Sequence, residues 1–343
     1  MFKIFQQTIS NPVSVEGIGL HTGKKSKITL LPAKENQGII FKRVDLKENN
    51  LIFADYKNVS DTQLCTSIKN NHGIKVNTIE HLLAALYISE IDNVLIEINN
   101  SEVPIMDGSA KPFISILNKT KKVKLNNKRK YIKITEKVSL EKDGKKISIK
   151  PSNFFEVDYK LNFENKIIGK QQNLVNFQND DLENIYTSRT FCLYEDIEKI
   201  KKIGLAKGGS LENAVVVDES SVLNKEGLRN NQEFVNHKIL DLAGDFLLSG
   251  YRIMGKVSCY QGGHELTNMF LRKLFNRKKS FTLIENNDVN IVEKTISTYK
   301  TDKIAVNAWS SLKFTNYNKF VIKVINDEKN SLFIVFFIFT ILF

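Results

Sequence analysis

Cysteine is scarce in this chain: Cys65, Cys192 and Cys259 stand far apart, with no CxxC pairing. Such an odd, scattered set makes neither a disulfide framework nor a cysteine-ligated metal site, and it suits a reducing compartment. No secretory leader is expected, because the opening MFKIFQQTIS has one early lysine and no sustained apolar core. The expectation is a cytoplasmic protein. The apolar run SLFIVFFIFTILF at 331–343 is shorter than the roughly 20 residues a membrane-spanning helix needs. It fits a buried strand, a membrane-touching tail or a mistranslated end, and the sequence does not choose among them. Histidine is scarce too, with only His21, His72, His81, His237 and His264, so the placement of each is informative.

The chain has 343 residues, 42% of them hydrophobic and 26% charged, with a formal net charge of +12. This length suits two domains, and the balance is that of a folded globular protein rather than a disordered one. A basic surplus favours an anionic partner: nucleic acid, a membrane surface or a phosphorylated small molecule. A solvated lysine-rich surface with no specific partner fits it equally well.

The first block opens with a glycine-rich loop, Gly17–Gly23, followed by strand-like runs at Lys27–Leu31 and Gly38–Arg43. Ile79, Leu82, Leu83 and Leu86 recur at helical spacing and predict a helix starting near Asn77 or Thr78. A strand at Asn93–Ile98, a turn at Met106–Ser109 and a short helix through Pro112 follow. Residues 119–130, KTKKVKLNNKRK, have no apolar periodicity and are read as the boundary between halves. Beyond them, Tyr131, Ile132, Ile134 and Val138 form one expected hairpin arm and Ile147 and Ile149 the other, with Asp143-Gly144 as the turn. Strands are expected at Phe154–Phe163, Ala214–Val217 and Ile253–Tyr260. Helices are expected near Tyr194–Ile203, Gln232–Leu248 and Glu265–Phe275. Strands and helices mix without regular alternation, so the fold class is α+β.

His237 and Asp241 lie four apart on the strongest helix of the second block and emerge from one face. Such a pair can present a nitrogen and an oxygen to one cation, and it can equally be a surface hydrogen bond. Asp245 lies one turn further along the same stripe. His81 follows Glu80 near a helix start, where two readings compete. In one, Asn77 and Glu80 form a capping box and Glu80 is structural. In the other, His81 binds a metal and Glu80 acts as general base. His264, in a Gly-Gly-His turn, is on spacing alone a bystander or a catalytic group on a loop. A His2Asp donor set leaves a fourth zinc position open, as catalytic sites do.

Motifs in order along the chain then carry a resemblance. They are GIGLHTG at 17–23, NTIEHLLAAL at 77–86, IDNVLIEIN at 91–99, VPIMDGSAKPF at 103–113, SRTF at 188–191, LAKGGSLENAVVVD at 205–218, VLNKEGLR at 222–229, EFVNHKILDLAGD at 233–245 and GGHELTN at 262–268. With these, residues 6 to 277 resemble the UDP-3-O-acyl-N-acetylglucosamine deacetylases of Gram-negative lipid A synthesis. The resemblance implies two α+β domains of similar topology, 1–125 and 126–277, packed face to face with the site at their interface. It implies zinc on His81, His237 and Asp241, with Glu80 as general base and His264 as general acid. Asp245 would hold and polarise His264, and Thr190 would bind the oxyanion or the attacking water. Lys238 would face the nucleotide's anionic part and Phe163 would stack on uracil. The segment Phe191–Gly209 would take the acyl chain, and His21 would lie near the substrate. The implied partner is a UDP-acyl-amino sugar rather than nucleic acid, and the implied state a cytoplasmic monomer.

Residues 278–343, with the lone Trp309, have no counterpart in the resemblance. A small extra domain, a transient membrane contact and a frameshifted end are the readings of this tail. Two other functions fit the same residues: a zinc amidohydrolase for another acylated amino sugar, and a lipid- or nucleotide-binding relic without turnover.

Overall fold

A computed structural model of the chain describes residues 3–285. Trp309 and the apolar run at 331–343 lie outside them. Six helices are present among the described residues: α1 (Glu80–Ile88), α2 (Lys111–Leu117), α3 (Glu183–Tyr186), α4 (Ile197–Lys202), α5 (Glu233–Leu247) and α6 (His264–Asn276). They pack with two main sheets, and the architecture is α+β.

In the first half, alternation of apolar and polar residues produces strands with one buried face. Lys25–Pro32, for example, buries Ile28 and Leu30. The sheet has the strand order Val13–Ile18, Lys25–Pro32, Val94–Ile98, Ile39–Arg43, Leu51–Phe53. Ile39–Arg43 runs parallel to Val94–Ile98, and the other neighbours pair antiparallel.

The second half has a seven-stranded sheet built around the long strand Arg252–Tyr260. That strand pairs antiparallel with Lys145–Lys150, and parallel with both Lys130–Ile134 and Phe155–Asn162. Val138–Lys142 and Lys145–Lys150 form a hairpin whose turn residues Asp143 and Gly144 both have positive φ, 50° and 74°. This is the twist-matched geometry that Asp-Gly favours.

Two expectations need correction, and one stretch holds a strand that the sequence did not announce. Tyr131–Ile134 is not an arm of that hairpin; it is a separate strand between Arg252–Tyr260 and Phe281–Glu285. The polar residues Thr135–Lys137 break the run, and the backbone N–H of Thr135 donates instead to Ser280. The basic stretch at 119–130, read as the boundary between halves, contains a strand. Its residues Lys122–Lys128 form a strand antiparallel to Phe5–Ile9, a pairing that local periodicity cannot reveal. Finally, the helix expected at Tyr194–Ile203 is shorter, with a 3₁₀ turn at Tyr194–Asp196 leading into α4. The segment after 277, unread in sequence, contributes the strand Phe281–Glu285 to the second sheet. Among the described residues, no helix is long and apolar enough to cross a membrane.

The two helices that matter most are buried on nearly every side. Residues Glu80–Tyr87 of α1 are all buried, and Lys238 is the sole residue of α5 that is not. The apolar stripes seen in sequence therefore understate the packing, because these helices sit inside the core. One continuous core includes Tyr87 of α1, Phe155 and Phe246, with ring centroids 5.4 Å (Tyr87–Phe155) and 5.7 Å (Phe155–Phe246) apart. At the crossing of α1 and α5, a Cβ on Gly244 would overlap the carbonyl oxygen of Glu80 and lie 3.1 Å from the amide of Ala84. Only glycine permits this approach. Gly244→Ala is therefore expected to push α1 from α5 at a cost of about 1–3 kcal/mol, read as a lower urea midpoint. An unchanged midpoint would show that the helices part without strain.

Candidate metal centre

The helix crossing fixes what faces what. His81, in the first turn of α1, meets His237 and Asp241 on α5, and all three side chains are buried. Their candidate donor atoms lie within 4.8 Å of one another. The His81 and His237 rings stand edge to face, with centroids 4.9 Å apart. Each Nε2 is 3.4 Å from Asp241 Oδ1.

The His237 contact is not an ion pair. Burial pushes the His237 pKa down to about 3, which keeps the imidazole neutral. Its Nδ1, 3.1 Å from the Ser188 carbonyl oxygen, donates there, so the Nε2 lone pair points at the cluster. Asp241 Oδ1 is buried with no hydrogen-bond partner, while Oδ2 accepts from Lys238 Nζ at 2.9 Å. An orphaned carboxylate oxygen between two imidazole nitrogens is costly in a protein interior. It is the arrangement expected of donors waiting for a divalent cation, with an outer hydrogen bond fixing the His237 tautomer. Two nitrogens and one oxygen fit that cation.

Glu80 borders the cluster. The capping box anticipated for it does not form: α1 begins at Glu80, the preceding Ile79 gives no side-chain cap, and Thr78 has φ of 58°. Asn77 instead bridges to Glu102 in strand geometry. The Glu80 carboxylate is thus free of capping. Its Oε2 accepts the backbone N–H of Thr66 at 3.0 Å, and burial pushes its pKa up. His264 is the first residue of α6 rather than part of a turn. Its Nδ1 donates to Asp245 Oδ2 at 2.8 Å. Burial disfavours the cation, but the carboxylates of Asp245, foremost, and of Glu80 and Asp241 together outweigh it and drive the His264 pKa up to about 9. An acid and a base therefore stand beside the three donors.

Of the remaining sequence candidates, Lys238 and Phe191 border this centre. Lys238 reaches back to Asp241 and also lies over the Phe191 ring, 5.6 Å from its centroid. Phe191 stands 6.4 Å from the His237 ring and 5.9 Å from Phe163, so these aromatics form a half-buried row leading away from the donors. Thr190 is tied by its backbone, its N–H donating to Gly108 and its carbonyl accepting from Val215. His21 is buried; its Nε2 has no partner, and burial pulls its pKa down.

Sequence reasoning missed several supports. Buried Glu102 accepts the backbone N–H groups of His21 and Thr22 at 2.8 Å each, pinning the glycine-rich loop. Buried Arg189 donates its backbone N–H and Nε to Glu233 at 3.0 and 2.8 Å, fastening the SRTF segment to the start of α5. That clamp sets the Ser188 carbonyl against His237. Thr66 bonds both Glu80 and Asp245. No periodicity marks any of them; only the placement of Arg189 inside SRTF was a signal.

A family model described as UDP-3-O-acyl N-acetylglycosamine deacetylase matches residues 6–276. The UDP-3-O-acyl-N-acetylglucosamine deacetylase of Wigglesworthia glossinidia brevipalpis is 39% identical over 290 residues, covering 83% of this chain and 97% of the relative. Its namesake in Pseudoalteromonas translucida is 43% identical over 274 residues, 79% of this chain and 90% of the relative. That of Haemophilus ducreyi is 40% identical over 289 residues, 83% and 94%.

Proposed function

As the chain belongs to the UDP-3-O-acyl N-acetylglycosamine deacetylase family, we propose that it hydrolyses the N-acetyl group of UDP-3-O-acyl-N-acetylglucosamine. The products are acetate and UDP-3-O-acylglucosamine, and the reaction is the committed step of lipid A biosynthesis. The observation that carries this reading is the buried convergence of His81, His237 and Asp241, in a chain matching the family across 6–276.

The metal is zinc, held by His81, His237 and Asp241. Two imidazoles and a carboxylate are the nitrogen and oxygen set that zinc accepts with one position open. Bound there, the ion would supply Lewis acidity to the acetyl carbonyl and the attacking water. The chain's own groups do the rest. Glu80, its basicity raised by burial, takes a proton from the water as it attacks. The Thr190 hydroxyl donates to the oxyanion where charge develops. His264, held by Asp245 through Nδ1, gives its Nε2 proton to the departing nitrogen. The C–N bond breaks, and the sugar keeps a free amine.

Lys238 faces the diphosphate, Phe163 stacks on uracil, and His21 borders the substrate. Phe191 opens the acyl slot that continues toward Gly209. The half-buried aromatic row supports this path. Residues 1–125 and 126–277 act as two domains of similar topology with the donors at their interface. Support comes from a separate sheet in each half, and from Glu80 and His81 belonging to one while His237, Asp241 and His264 belong to the other. The enzyme works as a cytoplasmic monomer on a small anionic substrate, with no nucleic acid partner. The tail beyond 277 makes at most transient contact with a membrane surface.

Acetate release is expected from the 3-O-acylated UDP sugar. The same sugar without its acyl chain should lose about 10³-fold in kcat/KM, since each buried methylene is worth about 0.8 kcal/mol. Equal turnover of the two would point instead to an amidohydrolase for another amino sugar.

A further inference from the structure

We propose that Thr66 is a positioning residue of the hydrolysis, setting the carboxylates of Glu80 and Asp245 in one fixed relation. The inference rests on the deacetylase reading above and adds a group to it.

Thr66 is buried, just before the strand Ser67–Lys69 and two residues after Leu64, whose φ is 60°. Three hydrogen bonds tie it to both central helices. Its N–H donates to Glu80 Oε2 at 3.0 Å, and its carbonyl accepts the N–H of Ile79 at 3.3 Å. Its hydroxyl donates to Asp245 Oδ1 at 2.6 Å. With no capping box to hold Glu80, the hydrogen bond fixing that carboxylate among the described residues comes from Thr66. On the other side, His264 takes Asp245 Oδ2 and Thr66 takes Oδ1. A carboxylate bonded through both oxygens cannot rotate, so the plane of the His264 ring is set through Asp245. Charge-assisted bonds of this length are the strong ones.

One residue thus spaces the general base on α1 from the partner of the general acid on α5. The acid and base must act on opposite sides of one amide, and small errors in such spacing are costly in rate. A mere space-filling role depends on the shape of the threonine side chain. The role proposed here depends on its hydroxyl at the Asp245 end, while the main-chain N–H to Glu80 is kept in any substitution and anchors the other end.

The pair Thr66→Val and Thr66→Ser separates the two, because valine keeps the shape and serine keeps the hydroxyl. With the zinc-loaded full chain and the 3-O-acylated UDP sugar, Thr66→Val is expected to lose about 10- to 100-fold in kcat with KM nearly unchanged. Its zinc content should equal that of the wild type. Thr66→Ser should recover kcat to within about threefold of the wild type. In a Thr66→Val/Asp245→Asn double variant the two losses should fall well short of multiplying, because one acts through the other. If valine does not fold, judged by thermal melting, Thr66→Ala takes its place. Wild-type kcat in the valine variant, or serine as impaired as valine, overturns the assignment. A wild-type protein that binds zinc but releases no acetate overturns the deacetylase reading itself, and the assignment with it.

Discussion

Replacing His264 with alanine is expected to leave zinc fully bound and to lower kcat by about 10²- to 10⁴-fold, the range spanned by one general acid. The histidine holds no position among the three donors, so its loss should not release metal. In the proposed reaction it is the group that protonates the leaving nitrogen. Its partner makes a sharper form of the same prediction. An acid works only while protonated, so activity is present below the pKa of His264 and lost as pH rises through it. Against the effect of burial, the Asp245 carboxylate, with Glu80 and Asp241 behind it, drives that pKa up to about 9. Asp245→Asn keeps an oxygen for the His264 Nδ1–H but removes the charge. The alkaline limb of the kcat/KM profile should therefore move to lower pH. A limb that stays in place would separate it from His264. Metal loss in His264→Ala with normal turnover would mean the roles are exchanged.

Much of the secondary structure could be read in the sequence because it is local. The stripe Val235, Ile239, Leu242, Phe246 marked α5, and Asp143-Gly144 marked the hairpin turn. What was hidden is long-range. Phe5–Ile9 pairs with a lysine-rich strand more than a hundred residues away, and no local pattern announces a partner at that distance. Tyr131–Ile134 looked like a hairpin arm because the eye extends an apolar alternation through Thr135–Lys137, where the backbone leaves the ladder. The centre divides in the same way. The spacing of His237 and Asp241 put two donors on one helical face. Spacing could not decide between a cap and a base at Glu80, because that depends on the backbone at Asn77–Ile79. The Ser188 carbonyl and the Thr66 amide act through main-chain atoms that every residue possesses, so no side-chain pattern could flag them.

Asp241→Ala is expected to remove zinc and activity together. Asp241 alone of the three donors carries a negative charge, and its Oδ1 sits 3.4 Å from both imidazoles with no hydrogen-bond partner. Without it, two imidazoles and no anionic donor remain around the site, beside the Lys238 ammonium that Asp241 now pairs. A cation would then meet an uncompensated like charge in a buried setting, which disfavours binding strongly. Losing one of three protein ligands should weaken zinc by well over 100-fold, more than loss of an outer partner costs. The fold should survive better than the site, because a donor cluster with an orphaned oxygen costs stability when no ion fills it.

The most direct measurement is the zinc bound per chain in purified wild type and Asp241→Ala, taken alongside acetate release from the UDP-acyl sugar with and without a chelator. The account predicts about one zinc per wild-type chain, activity abolished by chelation and restored by zinc, and a folded variant lacking both metal and turnover. A variant that keeps its zinc and its rate, or a wild type that turns over undiminished after its metal is stripped, would contradict it.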